Sequence, residues 1–307
     1  MTLDVAAVAQ LACLLEVSAP KPGNVGPGHH FADARYEDFL ASAAAIGTPL
    51  RGAGERPLGI TIRLACEATS RWTRSNTNLG IVLLLAPLAR AAFMTSSATA
   101  SRGFDTPDAR VRAASTHISR DALRQKLTDL LSATTVEDAR NLYAGIRLAS
   151  PGGLGQTAEQ DISTEPTISL LDTMRLAADR DDIAREYVTN FETTFTIGAP
   201  AIDEARRHGL PWNDAVVETF LTILAGRHDT HIARRGGVAL AEDVSRRART
   251  VIAAGGVRSA AGRDALREMD EALRREGNVA NPGTSADLTA AAIFVALLGD
   301  SWRTSDR

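Results

Sequence analysis

The sequence predicts an all-α protein, a single domain over residues 1–307 of about a dozen helices, and three observations carry that expectation. No segment of any length alternates apolar and polar residues as a half-buried strand must. Apolar residues recur instead at three- and four-residue spacing through most of the chain. Two runs, Leu79 to Met94 and Leu288 to Leu298, are apolar on nearly every face, which marks two buried central helices.

Val5, Val8, Ala12 and Leu15 set the first helix, which must stop before Ala19-Pro20 because a residue ahead of proline avoids the α region. The loop from Ser18 to His30 is dense in proline and glycine, and Pro20 and Pro22 fix the backbone around Lys21. Tyr36, Phe39, Leu40, Ala43 and Gly47 mark a second helix; Leu58, Ile62, Ala65, Thr69 and Trp72 mark a third that carries Glu67 on another face. Asn76, Thr77, Asn78 and Gly80 then stand at the head of the first buried run. One of them suffices as an N-cap, so the remainder point to a helix N-terminus aimed at an anion. Residues 95–119 lose the period and read as a surface connection.

Helical spacing resumes at Asp121–Leu131 and at Val136–Leu148 behind a Thr134-x-x-Glu137 capping box. Gly152, Gly153 and Gly155 follow, with Glu159 and Asp161 just beyond, although the glycine spacing fits neither a dinucleotide fingerprint nor a P-loop. Helices are expected at Thr167–Ala178, Asp182–Phe195, Pro200–His208 and Asn213–Ala225. The next turn holds His228, Asp229, His231, Arg234 and Arg235, where a carboxylate beside guanidinium groups suits magnesium and phosphate better than zinc. Val238–Ala254 and Gly262–Arg275 are amphipathic, Gly277 ends the second, and Asn281-Pro282-Gly283-Thr284-Ser285-Ala286-Asp287 leads into the last buried helix. Two polar helix tips that converge at one end of a bundle would make a site.

Composition narrows the function classes. Hydrophobic residues are 44%, charged residues 23% and the net charge is −3, so no basic surplus exists for nucleic acid. Lysine occurs only at Lys21 and Lys126. Cys13 and Cys66 lie in apolar helical patterns with no partner at metal spacing, as buried free thiols of a cytoplasmic protein would. No basic n-region precedes the first helix, and the run from Leu79 holds Pro87 and Arg90, so neither a signal peptide nor a membrane span is expected. A homodimer is left open, with no patch to argue for it.

Lys21-Pro22-Gly23-Asn24-Val25, Asn76-Thr77-Asn78-Leu79-Gly80, Gly153-Leu154-Gly155 with Glu159 and Asp161, Asp229-Thr230-x-Ile232-x-x-Arg235-x-Gly237 and Asn281-Pro282-Gly283-x-Ser285-Ala286-Asp287-Leu288 together resemble the ordered motifs of triphosphoribosyl-dephospho-CoA synthases. That resemblance implies an all-helical enzyme. It would move the triphosphoribosyl group of ATP to the ribose 2′-hydroxyl of 3′-dephospho-CoA and release adenine. It implies ATP as substrate with Mg2+, and small-molecule rather than nucleic-acid or membrane partners. Lys21, Asn24 and Arg235 are then expected on phosphates, Asn76, Thr77 and Asn78 on phosphate or ribose, and Asp161 and Asp229 on magnesium or the oxocarbenium. Glu67 and Asp287 are the remaining base or metal candidates. On this reading Asp229→Asn stops turnover and leaves the thermal midpoint nearly unchanged.

One departure stands out. Family members of the citrate lyase pathway carry His-Lys-Gly where this chain has Asn78-Leu79-Gly80, so a cation expected at the nucleotide is absent. The chain looks more like the branch linked to methanopterin-type one-carbon chemistry, whose acceptor can differ. A hydrolase using the same residues and a non-catalytic nucleotide- or CoA-binding helical protein are the other readings.

Overall fold

The computed structural model describes residues 4–100, 117–149 and 159–299 together with Trp302. The helices among them are α1 (Val5–Ser18), α2 (Tyr36–Ala45), α3 (Gly47–Arg51), α4 (Leu58–Ser70), α5 (Leu79–Ala100), α6 (Arg120–Ser132), α7 (Val136–Ala149), α8 (Leu170–Ala177) and α9 (Asp182–Val188). A π-helix (Thr193–Gly198) leads into α10 (Ala199–Arg207), α11 (Trp212–Gly226), α12 (Thr230–Gly236), α13 (Val238–Ala253), α14 (Ala260–Arg275) and α15 (Gly283–Leu298). Short 3-10 turns at Gly256–Arg258 and Gly277–Ala280 bracket α14. Among the described residues the only β pairing is two isolated bridges in the Gly26–Ala34 loop, so the all-α expectation holds.

The two apolar runs form the centre. α15 packs against α1, α5, α10, α11 and the π-helix, while α5 packs against α1, α4, α6 and α15. Of the residues of α15 only Gly283 and Asp287 escape full burial, so one carboxylate stands on an otherwise dry helix. The Leu79–Ser96 stretch of α5 has the length and hydropathy of a membrane span, but 67% of it is buried inside the protein. Pro87 removes the N–H that would have bonded Leu83, and the buried Tyr187 hydroxyl donates to that carbonyl instead at 2.5 Å.

Several boundaries move for local reasons. α5 runs six residues past Met94, with Thr95 and Ser96 hydroxyls donating to the carbonyls one turn back. The cap of α7 is Thr135 with Asp138, one residue later than expected: the Thr135 hydroxyl and N–H both donate to Asp138 Oδ2. Thr134 is occupied by the Leu171 N–H. The single helix expected over Asp182–Phe195 breaks at Asn190 and Phe191, where φ is +55 and +57, and resumes as a π-helix. The buried Glu186 carboxylate accepts the N–H groups of Thr193 and Thr194 at 2.9 Å each and holds that restart.

Candidate active site

Three helix N-termini meet over one narrow cleft of about 80 Å³. α5 brings Asn76 to Ile81, α12 brings His231, and α15 brings Gly283, Ala286 and Asp287; the last turn of α1 adds Glu16 and the following loop adds Asn24. The expected convergence of the polar tips of α5 and α15 is therefore met, with α12 as a third.

Each tip is capped differently. The Asn76 side chain accepts the Leu79 N–H at 3.1 Å, leaving the first-turn amides of Gly80 and Ile81, which line the cleft, beyond the reach of their own helix. α12 and α15 share one cap. Asp229, 1% exposed, accepts the His231 and Ile232 N–H groups on Oδ1 at 2.9 and 3.1 Å, and the Ser285 N–H and hydroxyl on Oδ2 at 2.7 and 2.8 Å. Four donors use up the four lone-pair positions of a carboxylate. Asp229 thus stands as the buried clamp between two helices rather than as the magnesium ligand expected from sequence. Asp229→Asn turns a donor-bearing amide toward one set of these N–H groups, and we expect about 1.5–3 kcal/mol of stability to be lost. Urea unfolding checks this; an unchanged midpoint with lost turnover would return Asp229 to the chemistry.

Lys21 also turns inward. Only 1% exposed, its ammonium donates to the carbonyls of Glu16 at 2.5 Å and Ala19 at 3.3 Å. It sits 2.9 Å from Glu16 Oε1, an ion pair off the line of a hydrogen bond. The prolines that fix this loop thus aim the cation at α1, not at a phosphate. Burial raises the Glu16 pKa and Lys21 opposes the rise. Gly23, at φ +71, lies so close to Leu273 that a β-carbon would come within 2.8 Å, and its N–H donates to Asp270. That contact presses the loop onto α14, and Asn24 donates across the cleft to Asn281 at 2.6 Å.

Asp287 is the carboxylate left facing the cleft. Its Oδ2 lies against Gly80, where an added β-carbon would fall 2.0 Å away, so the glycine at the head of α5 makes room for it. Among the described residues it accepts no hydrogen bond. Burial holds its pKa well above the usual carboxylate range, Glu16, Asp229 and Asp181 push it the same way, and Arg234 opposes them. His231 is the second group with free capacity, its Nε2 buried without a partner among the described residues. Burial lowers the His231 pKa; Asp229 opposes this, and Arg234 and Arg235 add to the lowering. The cleft therefore pairs a carboxyl biased toward its protonated form with an imidazole biased toward its neutral form.

The other sequence candidates fall elsewhere or are already engaged. Thr77 shares a 2.5 Å hydrogen bond with Ser42, and the Asn78 amide donates to Thr69 at 3.2 Å, so both are buried braces in the cleft wall. Arg235 is exposed near the end of α12. Glu67 pairs with Arg63 and lines a separate cleft with Arg56, Arg71 and Trp72. Asp161 accepts the N–H and hydroxyl of Ser163 and lines a third cavity with Tyr143 and Arg180. Gly153, Leu154 and Gly155 lie outside the described residues. Glu16 is not among the sequence candidates, and His231 enters there only as a ligand for zinc, the less suited metal. The signals were a lone acid on an otherwise apolar helical pattern, five residues before the singular Lys21, and a histidine two residues past Asp229.

Among the described residues no three His, Cys, Asp or Glu gather for a metal. Asp229 is saturated and Asp161 is in another cavity.

Residues 2–306 match the sequence model of a family described as ATP:dephospho-CoA triphosphoribosyl transferase. A protein of Escherichia fergusonii named 2-(5''-triphosphoribosyl)-3'-dephosphocoenzyme-A synthase is 30% identical over 110 residues, 36% of each chain. One of Klebsiella pneumoniae with the same name is 32% identical over 99 residues, 32% of this chain and 35% of its own. The chain spans between about a third and about a half of the length of the curated relatives it matches. A crystal structure of an Archaeoglobus fulgidus protein, provisionally named triphosphoribosyl-dephospho-CoA synthase, superposes with a TM-score of 0.61 at 25% identity, covering 86% of this chain and 100% of that one.

Proposed function

The chain belongs to the ATP:dephospho-CoA triphosphoribosyl transferase family, and we propose that it transfers the triphosphoribosyl group of ATP to the 2′-hydroxyl of 3′-dephospho-CoA, releasing adenine. The observation that supports this reading best is that Asp287 and the Nε2 atom of His231, neither with a hydrogen-bond partner among the described residues, line one cleft with three helix N-termini. In the transfer, the bond from the ribose anomeric carbon to adenine breaks and positive charge builds on the ribose. Asp287 gives its proton to the departing adenine, and the carboxylate left behind faces the developing oxocarbenium. His231 Nε2 takes the proton of the attacking 2′-hydroxyl as the new C–O bond forms. The two protons balance when the imidazolium and the carboxylate reset through solvent.

Among the described residues no Lys or Arg lines the cleft, and Leu79 occupies the place of the family cation. The triphosphate is therefore assigned to the cleft mouth, against the amides of Gly80 and Ile81, where helix dipoles favour an anion, with Arg235, whose charge reaches His231, as the cation assigned to it. Magnesium belongs in this scheme to the substrate, as the magnesium complex of ATP. Leu79 also supports the second reading, in which the same transfer uses a one-carbon cofactor precursor as acceptor.

Adenine release, followed by chromatography with magnesium and ATP, tests the reading. Release that requires dephospho-CoA and yields a product of the summed mass is expected, and EDTA is expected to stop it. Release with no acceptor present would identify a hydrolase, and no release at all would sink the transferase.

A further inference from the structure

We propose that the cleft between α2, α3 and α4 is a second ligand site, which takes an adenosine diphosphate group with its purine on the Trp72 indole and its phosphates between Arg56 and Arg71. At about 470 Å³ it has the size of a nucleotide pocket, whereas the cleft of Asp287 offers about 80 Å³. Trp72 lines it and is 71% exposed. An indole left in water beside a cavity is a stacking surface that any base can use. Neither Arg56 nor Arg71 makes an ion pair among the described residues, and guanidinium groups match phosphate oxygens two at a time. Arg56 lies flat over Gly52, where a β-carbon would come within 2.4 Å of its guanidinium carbon, so the glycine leaves the cation its seat.

Ala44, Ala45 and Ala68 keep this cleft open with small side chains. Glu67, its charge offset by Arg63, is the one acidic acceptor in the wall. It can accept a hydrogen bond from the exocyclic amino group of adenine, which hypoxanthine lacks. The last turn of α4 and its C-cap give Glu67, Ala68 and Arg71 to this cleft while Thr69, between them, accepts the Asn78 amide in the wall of the catalytic one. The two clefts thus back onto one turn. The choice of adenosine diphosphate rests on the transferase reading, since donor and acceptor both carry that group.

Calorimetric titration of the full chain with ADP, inosine diphosphate and dephospho-CoA tests the site. Wild type is expected to bind ADP at least fivefold more tightly than inosine diphosphate. Arg71→Ala and Trp72→Leu, both at exposed positions, should each raise the ADP Kd tenfold or more with unchanged thermal melts. An ADP Kd within twofold of wild type in both variants, or no ADP binding to wild type, would overturn the proposal. The KM of dephospho-CoA is expected to rise in Arg71→Ala, because the donor's adenine must meet Asp287 in the other cleft; a rise for ATP alone would put the donor's purine on Trp72 and take Asp287 out of the proton-donor role. Loss of ADP binding in the variants of a protein that releases no adenine keeps this site and removes the transferase. Intact release with an unmoved Kd does the reverse.

Discussion

Asp287→Asn is expected to lower the rate of adenine release by two to four orders of magnitude while raising, not lowering, the thermal midpoint at neutral pH. Both parts follow from one environment. The carboxyl accepts no hydrogen bond among the described residues, is desolvated, and is crowded by Glu16, Asp229 and Asp181, so its folded pKa is raised. A raised carboxyl pKa means that the folded state holds the proton after the unfolded chain has released it. The stability linked to Asp287 is therefore complete below its unfolded value, about 3.9, and is lost as pH rises toward the folded value. Asparagine has the same shape against Gly80 and never ionises, so it removes that penalty. The wild-type rate should fall on the alkaline side as the proton needed by adenine is lost. A variant that keeps most of its rate, or one that melts well below wild type, would take Asp287 out of the proton-donor role.

Lys21→Ala should cost about 3–5 kcal/mol, because it strands the Glu16 carboxylate at 3% exposure without its cation. This is a large part of the whole stability of a typical domain. The loss should shrink as pH falls and be gone by about pH 4, since Glu16, its pKa already raised by burial, then keeps its proton in the folded state whether or not Lys21 opposes it. Lys21→Met combined with Glu16→Gln should recover most of the stability. Chemical unfolding of the three variants over pH decides the matter. A Lys21→Ala protein as stable as wild type but with a raised nucleotide KM would place the lysine on phosphate, as its proline-framed loop suggested.

The contrast between Lys21 and Asp287 shows what the sequence makes legible. Helix periods, the two fully apolar runs and the punctuation at Pro20 and Gly277 are local, and α1, α5, α14 and α15 lie close to where those signals put them. The start of α15 moved five residues earlier, to Gly283, because Pro282 opens the helix, and this carried Asp287 from a preceding loop into the helix itself. Polar residues at helix tips announced a site, and the tips of α5 and α15 do meet. Which polar residue faces solvent and which is a brace depends on partners distant in sequence. Asp229 reaches Ser285 across 56 residues and Thr77 reaches Ser42 across 35, and no local pattern encodes either contact. The break at Asn190 and Phe191 was invisible for the same reason, since Glu186 stabilises it through a carboxylate that reads as an ordinary helical residue.

The shared cap at Asp229 has a consequence for how this end of the molecule opens. A helix end normally frays by itself, freeing one amide at a time. Here the amides of His231, Ile232 and Ser285 hang on a single buried carboxylate, so releasing any of them exposes a charge that the others still hold. The first turns of α12 and α15 should therefore open together, and these three amide protons should exchange with deuterium at one common slow rate, as a single cooperative unit.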